Sequence, residues 1–311
     1  MPHSITHSLV FHHFHGDKHL PSQGSLSSSD FIQMIDWLNN HYSILSASQY
    51  KKNFENGTLK NTDICLSFDD ALKCQYDIAV PVMERLGVQA FFFVYSSAFC
   101  QNPDPLEIYR YFRTAFYSDI ENFYEDFFDA VEQIDATEFS RHHAKYSLLN
   151  YLSAFPFYTE NDKWFRYLRD QYLDRNQYDE LMNELMIKNN FDANTIKKEL
   201  LMSEEDLVST ESKGHLIGLH SYSHPTQISK LSKVEQELEY QNNYNHLIGL
   251  IGKPIKTMSH PCGDYNGITL EILKSMNIDI GFRSNMSVKE IRSPLEIPRE
   301  DQANVFKEMH L

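Results

Sequence analysis

Three short stretches of this 311-residue chain hold side chains that could do chemistry together. "ICLSFDDALK" (64–73) sets Asp69 and Asp70 side by side at the end of an apolar run. Adjacent carboxylates in a partly buried place repel one another and lose hydration, so a cation, a shared proton or good donors must compensate. "GLHSYSHP" (218–225) sets His220 and His224 four residues apart, just past the apolar "HLIGL". Two histidines and one carboxylate are a common ligand set for a catalytic divalent metal, with positions left open for water and substrate. "SHPCGDY" (259–265) adds His260, Pro261 and Cys262, and "FHHFH" (11–15) adds His12, His13 and His15. Taken singly each is a weak signal, since the chain holds 15 histidines.

The elements that precede these stretches make the combination stronger. "HSLVF", "DICLSF", "HLIGL" and "KTM" read as strands, and each runs into one of the polar loops. "CQYDIAVPVMERLG" reads as a helix stopped by Gly87, and "VQAFFFVYS" as a continuously apolar strand. Strand, helix and strand in that order, with apolar runs that hardly alternate, predict parallel strands covered by helices. Strand ends in such a fold converge on one rim, where active sites collect. Ser28, Ser29 or Asp30 is suited to cap a helix over "FIQMIDWLNN", and "YSILSASQY" is a weaker strand.

From about residue 102 to 212 the rhythm breaks. Helical patterns follow one another, including "IENFYEDFFDAVEQI", "HAKYSLLNYLSAF", "NDKWFRYLRDQYL" and "QYDELMNELMIKN". This stretch is expected to be a helical insertion, with Trp164 in its core rather than serving as a sugar platform. The βα rhythm resumes after it, so 1–101 and 213–311 are expected to form one α/β domain.

Composition bounds the partners. A formal net charge of −15 disfavours nucleic acid and anionic membrane surfaces, which require clustered Lys and Arg. No apolar run approaches the length a bilayer requires and no export signal opens the chain, so a cytoplasmic protein without a transmembrane segment is expected. Cys65, Cys74, Cys100 and Cys262 show no CxxC spacing and read as free thiols.

"LSFDDALKCQYDIAVPVMERLGVQAFFFV" resembles the first motif of the polysaccharide deacetylase (NodB-homology, carbohydrate esterase family four-like) family in its strand, its Asp-Asp and its Gly before "AFFFV". "GHLIGLHSYSHP" resembles that family's His-x-x-x-His motif, and "SHPCGDYN" its Pro-x-Gly loop. The resemblance covers about residues 8–98 and 200–300. It implies a distorted (β/α) barrel of the polysaccharide deacetylase type with a long helical insertion. Carried over residue by residue, it makes Asp69 the general base and Asp70, His220 and His224 the ligands of a divalent metal, Zn²⁺ first and Fe, Co or Ni as alternatives. It gives the backbone N–H of Cys262 to the oxyanion.

Two positions depart from the pattern. Ser259 stands where many members carry the arginine that orients the base, and Arg299 in "LEIPREDQ" is the candidate substitute. No Leu-x-His motif supplies a general acid, and His310 is penultimate. The family histidine at the end of the first strand is matched best by His13, with His12, His15 and His260 as further candidates for acid or substrate contact. Pro261 lies in the substrate loop, and Arg283 in "GFRSN" is a candidate for an anionic substrate group. The activity implied is metal-dependent removal of an N-acetyl or N-formyl group from an amino sugar, expected as a small nucleotide-linked or lipid-linked precursor of surface polysaccharide. The alternatives are an amide or imide hydrolase and a catalytically silent carbohydrate-binding protein.

Overall fold

Parallel strands carry all of the polar loops. The computed structural model describes residues 5–100, 103–153, 158–288 and 290–310. In chain order the strands are β1 (Ser8–Phe11), β2 (Ser43–Ile44), β3 (Asp63–Ile64), β4 (Leu66–Asp69), β5 (Phe91–Val94), β6 (Leu216–Leu219), β7 (Thr257–Ser259), β8 (Ile280–Phe282) and β9 (Arg299–Asp301). Seven form one parallel sheet in the order β8-β7-β6-β5-β4-β1-β9, and β2 pairs with β3 apart from it. A parallel bridge from Phe282 to Ile297, just before β9, nearly closes the sheet into a barrel. This is the distorted (β/α) barrel expected from the sequence.

Both faces of the sheet are buried, which is why its strands do not alternate. Phe91 and Phe93 pack with Ile280, Phe282 and Ile297, while Phe92 and Val94 face the opposite way into the core beneath the helices. Phe68 stacks on Phe92 with centroids 4.7 Å apart.

The helices divide between two compact units, residues 1–104 with 198–311, and residues 105–197. Helices α1 (Ser28–His41), α2 (Ala47–Glu55) and α3 (Val80–Leu86) belong to the first. The second holds α4 (Leu106–Tyr111), α5 (Ile120–Ile134), α6 (Ala136–Tyr146), α7 (Glu160–Tyr167), α8 (Arg175–Lys188) and the start of α9 (Ala193–Leu200). Helices α10 (Glu204–Ser212), α11 (Lys233–Ile251), α12 (Gly267–Ser275) and α13 (Gln302–Met309) return to the first unit. Helix α1 shows the local logic. Ser27 and Asp30 form a reciprocal cap at its start, and Phe31, Met34, Ile35 and Leu38 are buried at helical spacing.

The second unit has its own aromatic core, with Phe127 4.8 Å from Phe165 and Trp164 stacked on Tyr167. Its end differs from the expected residue 212. Helix α10 packs with the barrel unit, where Leu207 is buried and Asp206 pairs with Lys73 at 2.8 Å. The helix expected over 143–155 stops at Tyr146, where the backbone N–H of Ser147 closes the last turn onto His143; the last two residues of that stretch lie outside the described residues. All four cysteines are free thiols, and among the described residues no helix is long and apolar enough to cross a membrane.

Candidate active site

The C-terminal ends of β4, β6 and β7 and the first residue of β9 bring together residues far apart in sequence. Asp69 ends β4, paired in register with Phe93, and Asp70 follows with its N–H donating to the Phe93 carbonyl. His220 follows β6, and Ser259 ends β7. Eight non-glycine residues have positive φ among the described residues, and five of them (Asp70, Ala71, Ser221, His224 and Cys262) lie in these loops. Such backbone is costly for an L-residue and persists where surrounding structure enforces it.

Arg299 is 1% exposed and every donor of its guanidinium is placed. Its two terminal nitrogens donate to Asp69 Oδ1 at 2.8 Å and Oδ2 at 2.6 Å. The remaining donors reach Ser67 Oγ at 3.1 Å, Ser259 Oγ at 2.7 Å and the Arg283 carbonyl at 2.6 Å. Ser259 in turn donates to Asp69 Oδ2 at 3.2 Å. Burial would raise the Asp69 carboxyl, but Arg299, His220 and His12 outweigh it and hold the group below the usual carboxylate value.

Asp70 faces the two histidines. Nε2 of His220 and of His224 stand 3.3 and 3.2 Å from its Oδ1, a buried atom without a well-aligned hydrogen bond. His220 Nδ1 donates to the Ser259 carbonyl at 2.8 Å, which leaves Nε2 bare toward Asp70. One ligand atom from each of the three residues falls within 4.8 Å of the others. The donor set, the orphaned carboxylate oxygen and the fixed tautomer of His220 fit a divalent cation. Burial alone would raise Asp70, yet the nearby imidazoles, His224 before His220, outweigh it and hold the carboxyl well down. Burial disfavours the His224 imidazolium, and Asp70 and Asp104 more than offset this.

Helix α11 holds the His220–His224 loop from below. The Asn243 side chain accepts from the His220 N–H at 3.0 Å and donates to the Val94 carbonyl at 3.0 Å and Ser96 Oγ at 2.7 Å. The Glu239 carboxylate accepts from the Tyr222 and Ser223 N–H groups at 2.9 and 2.8 Å and from the Ser223 hydroxyl at 2.7 Å. Sequence reasoning missed both residues. The available signal was polar Gln236 and Asn243 on the helix face that also buries Tyr240 and Leu247.

The remaining candidates are distributed unevenly. β1 ends at Phe11, so strand alternation does not govern the histidines after it. His12 lies within electrostatic reach of Asp69, Asp70 and Asp301, and its ring stacks on that of His13 with centroids 6.2 Å apart. Gln75 Nε2 bridges the carbonyls of His12 and Asp69 at 2.9 and 2.6 Å, tying the two strand ends together. His15 Nδ1 is hydrogen bonded to Ser25 Oγ at 2.8 Å. His260 is not brought to a substrate surface. It is fully buried, bonded through Nε2 to the Leu295 carbonyl at 2.9 Å, and burial pushes its pKa down to about 3. Pro261 is buried, while Cys262 is exposed with φ 51°. A side chain at Gly263, φ 68°, would come within 2.1 Å of Ser284 Oγ. The Arg283 guanidinium lies 5.8 Å above the Tyr265 ring.

A sequence model described as "Polysaccharide deacetylase" matches residues 177–281, the stretch that holds His220, His224 and the Pro261–Gly263 loop. The chain carries a polysaccharide deacetylase domain. Asp69, Asp70 and Arg299 lie outside the matched stretch of this deacetylase domain, and the fold brings them to it. Solved structures share that fold at low identity. The Streptococcus pyogenes deacetylase PplD, in complex with acetate, is 13% identical with a TM-score of 0.56, covering 95% of this chain and 91% of that one. IcaB from Ammonifex degensii is 13% identical with a TM-score of 0.56, covering 98% and 95%. A de-N-acetylase from Aggregatibacter actinomycetemcomitans is 14% identical with a TM-score of 0.54, covering 95% and 94%. No curated protein sequence matches the chain.

Proposed function

We propose that the deacetylase domain hydrolyses the N-acyl group, acetyl or formyl, of an amino sugar, using a divalent metal, Zn²⁺ first among the candidates, held by Asp70, His220 and His224. The observation that carries this reading is the separation of the two adjacent acids. Asp70 turns to the histidines, and Asp69 is kept ionised by a bidentate arginine on the other side. A pure binding protein has no use for a second, buried, fully oriented carboxylate beside a ligand set. The names of the structural neighbours, a deacetylase and a de-N-acetylase, support an N-acetyl group as what is removed, and the matching "Polysaccharide deacetylase" model supports a sugar as its carrier.

When bound, the ion acidifies water and polarises an amide carbonyl. Asp69 accepts the proton of the attacking water, and Arg299 and Ser259 keep its oxygens aimed and charged. The backbone N–H of Cys262 is assigned to the developing oxyanion. His12, within reach of both carboxylates, is assigned the proton that leaves with the amine.

The test compares metal content and acetate or formate release for wild type, the His220→Ala/His224→Ala double variant and Asp69→Asn, on N-acylated glucosamine oligomers and nucleotide-linked sugars. Wild type should bind one divalent ion and the double variant little. Asp69→Asn should keep the ion and lose about 10²–10⁴-fold in turnover. Equal emptiness of wild type and double variant after reconstitution overturns the metal site, and unchanged release by Asp69→Asn overturns the base.

A further inference from the structure

The helical unit of residues 105–197 contains six arginines. Four hold a carboxylate: Arg110 with Glu107, Arg141 with Glu138, Arg169 with Asp170 and Arg175 with Asp179. Arg113 and Arg166 hold none among the described residues. Arg113, in the turn Phe112–Phe116, is 6% exposed, and its guanidinium lies 4.8 Å over the ring of Phe165, the residue before Arg166. The Arg166 guanidinium lies 4.1 Å over the Tyr158 ring. Nε of each is fully buried with no hydrogen-bond partner. Burial, then the like charge of Arg166, pulls the Arg113 pKa down to about 10.

A guanidinium stays charged and has only donors, so burying one without a counter-charge is unfavourable unless an anion arrives from outside the chain. We infer that Arg113 and Arg166 form a binding site for a phosphate group. Two guanidinium forks on aromatic faces match the double charge and several oxygens of a phosphate better than the single charge of a carboxylate.

The test is thermal unfolding of the whole metal-loaded protein, titrated with inorganic phosphate and with uridine diphosphate against chloride of equal ionic strength. Alongside, flotation is measured with phosphatidylcholine vesicles with and without phosphatidic acid. Wild type should show a saturable rise in Tm, and Arg113→Met and Arg166→Gln should each weaken it about tenfold or more. In chloride alone Arg113→Met should melt higher than wild type, because a buried unpaired charge has been removed. If Arg113→Met does not fold, the half-buried Arg166→Gln carries the comparison. Flotation only with phosphatidic acid, lost in the variants, assigns the site to a lipid phosphate, and a shift with the soluble probes assigns it to a soluble one. The absence of both responses, or equal responses in wild type and variants, overturns the inference. Metal content measured on the same samples separates the failures. A phosphate-blind protein with normal metal sinks this site alone, and phosphate binding with an empty barrel sinks the hydrolase reading alone.

Discussion

Replacing Arg299 by Met would leave Asp69, 3% exposed, with Ser259 as its remaining side-chain donor and no bidentate counter-charge. Breaking one side of a buried, hydrogen-bonded ion pair costs about 3–5 kcal/mol, a large share of the ~5–15 kcal/mol that holds a domain folded. Ser67 and the Arg283 carbonyl lose their donor at the same time, which places the expected cost toward the upper end. Adding Asp69→Asn removes the stranded charge, so the double variant should be more stable than the sum of the single losses by about 2 kcal/mol. Urea unfolding at fixed temperature reads these differences as shifts in midpoint. The pH dependence has a definite sign. Asp69 is held below its unfolded value of about 3.9, so its contribution is complete above that value and is lost as pH falls through the lower folded pKa. The gap between wild type and Arg299→Met should therefore be full near pH 7 and narrow at acid pH. It should begin to narrow at a higher pH than the wild-type titration alone would give, because burial is left to raise the carboxyl in the variant. A loss under about 1 kcal/mol, strict additivity with Asp69→Asn, or a gap unchanged at low pH would refute the reasoning, since each denies that the pair is buried, coupled and charged.

Two further outcomes are expected. Asn243→Ala removes the acceptor of the His220 N–H, and Glu239→Gln weakens three bonds to the Tyr222–Ser223 turn. Each should lower metal affinity about 10–100-fold in a chelator competition while leaving the circular dichroism unchanged, and unaltered affinity would remove α11 from the site. His215 Nδ1 accepts from the Ala90 N–H at 3.0 Å, and burial, with help from Lys213, holds its pKa down to about 4. Its folded pKa lies below the unfolded value of about 6.5, so stability present above that value falls as pH drops toward 4, by up to ~1.4 kcal/mol per unit. His215→Gln should flatten this acid slope of the unfolding free energy, and an unchanged slope would place the titration elsewhere.

The amino-acid order by itself determined a fold of parallel strands covered by helices and the residues at its strand ends. Strands buried on both faces must be continuously apolar, so "FFFV" and "LIGL" are legible, and polar groups directly after such runs stand out. That logic reached Asp69, Asp70, His220 and His224. It did not reach β9, whose three residues Arg299–Asp301 carry no strand pattern, because β9 takes its hydrogen bonds from β1 rather than from any preference of its own. Only that pairing carries Arg299 across 230 positions to Asp69. Nor did strand parity choose among the histidines of "FHHFH", since β1 ends at Phe11 and the chain then bends so that Phe14 bridges to Leu26. The end of the helical unit was equally hidden, because a helix reads the same whichever unit buries its face, and α10 buries Leu207 against the barrel. Periodicity reports how each segment meets apolar surroundings. Which charge meets which is set by register and closure between distant segments, and these exist only once the sheet has formed.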